Sequence, residues 1–167
     1  MSLPFNLAFS GISSGLQTKN AVSSSGTRGI FGGGITTAAS NVMDYININS
    51  LGNATDFGDL TVARYEVSGV SSDVRGVFGG GGDPHNVMDY ITIATIGNAT
   101  DFGDLTSTRA QVSAVNSTTR GVTGGGTNGS TGVNIMEYIT IATTGNATDF
   151  GDLTAATSHN GGLQAGL

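Results

Sequence analysis

Carboxylates recur in this chain at a fixed spacing. Asp56 and Asp59 lie within Gly-Asn-Ala-Thr-Asp-Phe-Gly-Asp-Leu at 52–60, and the same string returns at 97–105 and at 145–153. Two carboxylates presented from a turn are hard oxygen donors, suited to calcium if backbone or water oxygens complete the shell. Asp56, Asp59, Asp101, Asp104, Asp149 and Asp152 are therefore the candidate metal ligands. The competing reading is architectural: Asp side chains cap turns by accepting backbone N–H groups. A ligand set of two carboxylates is sparse, so the architectural reading is preferred and no cofactor is expected.

Asp-Phe-Gly is also a magnesium-holding triplet of protein kinases. That use needs a glycine loop, a strand lysine and a catalytic-loop Asp and Asn. The chain has a single lysine, Lys19, and no such loop. The charge census points the same way. The six basic residues are Lys19, Arg28, Arg64, Arg75, Arg109 and Arg120, and each falls on one of two recurring positions. Most of the twelve acids recur too, with Glu66, Asp73 and Asp83 off the pattern. An enzyme needs one asymmetric cluster, so the expectation is that this is not an enzyme. A hydrolase would have to rely on a unique acid such as Asp83 or Glu66. Asp44, Asp89 and Glu137 sit on strands with apolar neighbours, so each is expected to pair with a repeated Arg.

Other motifs read as structure. Asn53, Asn98, Asn116, Asn128 and Asn146 fit the glycosylation pattern, but three of them lie in the repeated string and reflect turn composition. The Gly triplets at 32–34, 79–81 and 124–126 lack the Gly-Lys-Ser/Thr of a phosphate loop and are expected to allow close strand packing. Met43, Met88 and Met136 occupy equivalent strand positions and read as core.

The elements that position these residues follow from composition and period. The chain has 167 residues, 28 of them Gly, and only 11% are charged. So much Gly is unfavourable in helices and suits short strands joined by turns. The net charge of −6 gives no basic footprint for nucleic acid or an anionic membrane, and no apolar run is long enough to span one. Arg-Gly-Ile/Val-x-Gly-Gly-Gly begins at Arg28, Arg75 and Arg120, and Asn-Val/Ile-Met-Asp/Glu-Tyr-Ile begins at Asn41, Asn86 and Asn134. The period is thus about 45–48 residues, the scale of a four-stranded repeat. The expected units are 17–60, 61–105 and 106–153, with an arm at 1–16 outside the repeat and a closing strand at 154–167. Within each unit the expected strands are Arg-Gly-Val-Phe-Gly, Asn-Val-Met-Asp-Tyr-Ile-Thr-Ile, a short Thr-Asp-Phe-Gly-Asp-Leu, and a returning strand such as Thr106–Val115.

This order resembles the kelch repeat of β-propellers over about residues 16–167. The glycine-ended strand stands where kelch has its double glycine, and Tyr45, Tyr90 and Tyr138 stand at its tyrosine. Phe57, Phe102 and Phe150 stand where kelch usually has tryptophan, and Arg64 and Arg109 at its arginine. The wording of the repeat is also similar to kelch-like arrays in virion structural proteins of marine tailed phages, cyanophages especially. The resemblance implies an all-β fold, a kelch-like β-propeller. Propellers have typically four to eight blades, so three units imply that a second chain completes six blades as a dimer of C2 symmetry. A monomeric β-trefoil or β-prism is the alternative.

One loop differs in length between units: 35–40, 82–85 and 127–133. Variable loops on a constant frame carry binding. The candidate binding residues are Thr36, Thr37, Ser40, Asp83, His85, Thr127, Asn128 and Ser130. The expected function is a non-enzymatic structural or adhesion protein, a phage virion component decorating capsid, tail or fibre. Its partners would be other virion proteins or a host-surface glycan or protein, and its location virion or extracellular. The alternative is a carbohydrate-binding lectin module with one site per repeat.

Overall fold

The computed structural model describes residues 27–82 and 85–164. The arm at 1–16, Lys19 and Asp83 lie outside them. The described chain is all-β, in three antiparallel sheets, none of them closed. The first holds β1 (Arg28–Gly32), β2 (Val42–Asn47) and β3 (Thr55–Asp59). The second holds β4 (Ser68–Ser71), β5 (Arg75–Gly79), β6 (His85–Thr92) and β7 (Thr100–Arg109), in that spatial order. In the third, β8 (Ser113–Asn116) pairs β9 (Arg120–Gly124), β9 pairs β11 (Thr131–Thr140), and β11 pairs β12 (Thr148–Thr157). A two-residue strand β10 (Thr127–Asn128) folds back on the start of β11.

Two strand expectations need correction. Thr106–Val115 is not one strand. Its first part extends β7, and the chain breaks at Gln111, which adopts a positive φ of 58°, before β8 begins. The closing strand expected at 154–167 is likewise divided: 154–157 finish β12, and 158–164 form no strand of their own. His159 has the same positive φ, 55°, as Gln111 and as Glu66 at 57°. All three mark the step from one sheet's outer strand into the following segment.

The same irregularity recurs in each sheet. Met43 faces Gly58 while Asp44 faces Asp56, so Phe57 is the extra residue of a bulge. Phe102 is the extra residue between Asp101 and Gly103, and Phe150 between Asp149 and Gly151. A bulge bends the strand and re-aims a side chain. Here Phe57 and Phe102 turn into the space between sheets. Met43, Phe57 and Leu60 of the first sheet pack on Ile91 of the second, with Phe78 and Ala99 beside them. Met88, Phe102 and Leu105 of the second pack on Ile139 and Ile141 of the third, with Ala147. Full burial of one such side chain is worth about 1.5–3 kcal/mol. The core therefore lies between sheets, first to second and second to third. That leaves a closed three-fold monomer without its third contact among the described residues.

Beside each apolar cluster the repeated string interlocks with its own next copy. Gly97 N–H donates to Phe57 O at 2.8 Å, Ala99 N–H to Asp59 O at 2.8 Å, and Asp59 N–H to Asn98 Oδ1 at 3.1 Å. One unit later Gly145 N–H donates to Phe102 O at 2.7 Å, Ala147 N–H to Asp104 O at 2.8 Å, and Asp104 N–H to Asn146 Oδ1 at 3.0 Å. So Gly-Asn-Ala docks backward, and Phe-Gly-Asp receives forward. The approach needs glycine: a Cβ on Gly58 or Gly103 would stand 2.5 Å from the carbonyl oxygen of Gly97 or Gly145.

Gly103→Ala is predicted to lower the unfolding free energy by about 3 kcal/mol, from clash plus backbone strain. Gly129→Ala also meets a positive φ, 73°, but open space, so it should lose only about 1 kcal/mol. Urea denaturation of both variants checks this; equal losses would contradict the close approach.

Candidate functional site

The variable loops grow from the ends of β1, β5 and β9, where the Gly triplets lie. Gly33, Gly80 and Gly125 have φ of 71°, 69° and 68°, turning the chain out of each strand. The next glycine then binds the segment that leaves the same sheet. Gly34 N–H donates to Arg64 O at 3.0 Å, Gly81 N–H to Arg109 O at 3.1 Å, and Gly126 N–H to Thr157 O at 2.9 Å. A Cβ on Gly33 would lie 2.4 Å from the Arg64 oxygen. The expectation of close packing at these triplets is thus met by a specific contact.

Arg64 is held from both sides. Its backbone belongs to the first sheet's loop, since its N–H donates to Ser40 O at 3.0 Å. Its guanidinium reaches into the second sheet, donating to Gly80 O at 2.6 Å, Val87 O at 2.7 Å and Asp89 Oδ2 at 2.5 Å. Asp89 also accepts from Thr61 Oγ1. Arg109 repeats the arrangement with Gly125 O at 2.9 Å, Ile135 O at 3.1 Å and the carboxylate of Glu137. Glu137 also accepts from Thr106 N–H at 2.7 Å. The pairing expected of Asp89 and Glu137 is present in both cases. Asp44 is the matching acid of the first unit, and Lys19, its counterpart in sequence, lies outside the described residues. All four paired side chains are buried. Burial lowers the Arg64 pKa from its ordinary value, with the charge of Asp89 and their hydrogen bond opposing; burial lowers that of Arg109. Each ion pair is therefore a positioning device whose solvation cost offsets much of its attraction.

A second arginine series works on the opposite strand end. Arg28 lies 4.6 Å over the Tyr45 ring and donates to Ile93 O of the next sheet at 2.6 Å. Arg75 lies 4.3 Å over Tyr90 and donates to Ile141 O at 3.0 Å. Tyr45, Tyr90 and Tyr138 each meet their sheet's Phe edge to face.

The candidate metal ligands do not converge. Among the described residues no three His, Asp or Glu side chains are grouped so as to hold a metal ion. Asp56, Asp101 and Asp149 are exposed along the outer strands. Backbone N–H groups are accepted instead by Asn98 and Asn146, whose side-chain oxygens take those of Asp59 and Asp104 on the neighbouring sheet. The sequence signal was present, since Asn stands in every copy of the string, but nothing local says that its partner lies one unit away.

The candidate binding residues divide in two. Thr36 and Thr37 are exposed in the 35–40 loop, and Asn128 and Ser130 at the tip of the β10–β11 hairpin. Of the remaining candidates, Asp83 lies outside the described residues, and Ser40, Thr127 and His85 are built into the frame. Ser40 Oγ accepts from Val42 N–H at 3.1 Å while its carbonyl holds Arg64. Thr127 exchanges both backbone hydrogen bonds with Ala110, at 2.9 and 3.0 Å. His85 begins β6 opposite Arg109. The loop expected at 127–133 is therefore a paired hairpin, which makes the third sheet five-stranded. Glu66, one of the acids off the repeat pattern, is exposed and accepts from Gln111 Nε2 at 3.3 Å. No protein-family model matches the chain, and no curated protein matches it in sequence.

Asp89→Ala is predicted to cost about 3–5 kcal/mol, because it strands the buried Arg64 charge. Replacing both partners, Arg64→Met with Asp89→Leu, should recover most of that loss. A denaturation double-mutant cycle measures the difference, and strict additivity would show that the charges act independently.

Proposed function

We propose that the chain is a non-enzymatic structural or adhesion protein whose three sheets are kelch-like blades of a β-propeller, and that it serves as a virion component of a tailed phage. In this reading it decorates the particle and presents its variable loops to a host-surface glycan or protein, or to another virion protein. The observation that carries the reading is where the charged side chains go. Arg28, Arg64, Arg75, Asp89, Arg109 and Glu137 all bind between sheets, which leaves them occupied with architecture. What varies from unit to unit is the loop after each Gly triplet, and Thr36, Thr37, Asn128 and Ser130 place hydroxyl and amide groups there in solvent. Such groups suit polar, hydrogen-bonded recognition by several weak contacts at once, which repetition multiplies.

Two measurements test this. Antibodies raised against the chain should label intact tailed-phage particles in electron micrographs; particles that never carry it would end the virion reading. Replacing Thr36, Thr37 and Asn128 together by Ala should change stability by about 0.5 kcal/mol or less, as for other exposed positions, while abolishing binding to host cells. Unaltered binding would move recognition away from these loops. Binding on a glycan array by the isolated chain, with no virion labelling, would favour the lectin alternative.

A further inference from the structure

The third sheet carries a complete receiving surface. Phe57 is fully buried and Phe102 is 2% exposed, each under the following sheet, whereas Phe150 is 48% exposed. Met43, Met88, Leu60 and Leu105 are buried, but Met136 and Leu153 are only half-buried. Arg120 lies 4.5 Å over Tyr138, posed like Arg28 and Arg75. Those two each donate to a carbonyl of the next sheet, and Arg120 has no such carbonyl among the described residues. A Cβ on Gly103 would strike the Gly145 carbonyl, while one on Gly151 would meet nothing closer than Met136 Cε at 4.0 Å. Residues 160–163 lie beside Ala114 and Val115, border one cavity together with Met136 and Leu153, and leave Phe150 open.

The complementary surface stands at the other end of the chain. Gly52-Asn53-Ala54 is the same tripeptide that docks from 97–99 and from 145–147, and all three of its residues are exposed. Phe31 and Ile48 match Phe78 and Ile93, which meet the preceding sheet, and each is 63% exposed. We propose that the Phe150–Asp152 face of one copy receives the Ile48–Ala54 segment of a second copy, so that copies join head to tail through a third instance of the junction already formed twice within the chain. Gly52 N–H then donates to Phe150 O, Ala54 N–H to Asp152 O, and Asp152 N–H to Asn53 Oδ1. The Arg120 guanidinium takes Ile48 O. The occupant is a second copy because the two equivalent surfaces, at Phe57–Asp59 and Phe102–Asp104, accept this tripeptide with this geometry. Each contact joins unlike patches, and two copies close the ring if each contributes three blades. The junction rests on packing within the chain, so a failure to find a bound target leaves it standing. Only the number of copies depends on the blade reading.

The chain has no cysteine, so introduced thiols are unique. Full-length Ala54→Cys and Asp152→Cys variants are mixed and treated with a short bis-maleimide. A cross-linked pair containing one of each is expected from the mixture and none from either variant alone. No cross-link in the mixture, or equal cross-linking of a single variant, would overturn the proposal. In parallel, light scattering of the folded full chain is expected to give an assembly, two copies on the six-blade count. Phe150→Asp is expected to raise its dissociation constant about thirtyfold or more, as loss of a central aromatic does, with an unchanged circular dichroism spectrum. A folded wild-type monomer at the same concentration would overturn the proposal and give the face to another occupant, such as residues 1–26 of the same chain. An assembly untouched by Phe150→Asp would also overturn it.

Discussion

The arrangement of the sheets depends on a place where a side chain is missing. After Phe57 and after Phe102 the chain has glycine, and the carbonyl of the next unit's Gly97 or Gly145 occupies the space a Cβ would fill. That approach lets three hydrogen bonds form between consecutive units at each junction. It also lets the bulged Phe drop between the sheets, so the polar and apolar halves of the junction share one cause. A sheet in this molecule has little core of its own. Its buried surface is shared with its neighbours, as expected of an array in which each unit contacts the next.

The arginines set the angle and register of the same junctions. Arg64 and Arg109 belong by backbone to one sheet and by side chain to the next, and each meets two carbonyls and a carboxylate. A planar guanidinium in fixed directions suits this better than a lysine ammonium. Burial lowers both pKa values, for Arg64 against the opposing charge of Asp89, and removing paired charges from water offsets much of their attraction. The geometric specificity of these contacts, rather than a large net stabilisation, is then the reason to keep them.

The same residues explain why the loops can vary. Arg64 ties both ends of the 35–40 loop, through Gly34 at its start and Ser40 at its end. The frame below the loop is complete without Thr36 or Thr37, so substitutions there leave the junction untouched. The third loop differs because Thr127 and Asn128 pair with Gly132 and Thr131, which converts a loop into a hairpin.

The sequence alone determined the all-β class, the lengths of the repeating units and the residues that recur. Period, glycine content and strand alternation are local properties, and strand chemistry follows from them. It also indicated that Asp89 and Glu137 need arginine partners, because a charge on a covered strand must be met. It did not reveal that the string at 97–105 acts as two half-fasteners, one facing each neighbour. It assigned the acceptance of backbone N–H groups to Asp56 and its copies, whereas Asn98 and Asn146 accept them from the neighbouring sheet. Nor did it show that 106–115 breaks at Gln111. These depend on which unit's backbone arrives beside which, and contacts between residues some 40 positions apart leave no mark in local pattern. Only the tertiary structure decides them, because a hydrogen bond between sheets is chosen by distance in space and not by spacing along the chain.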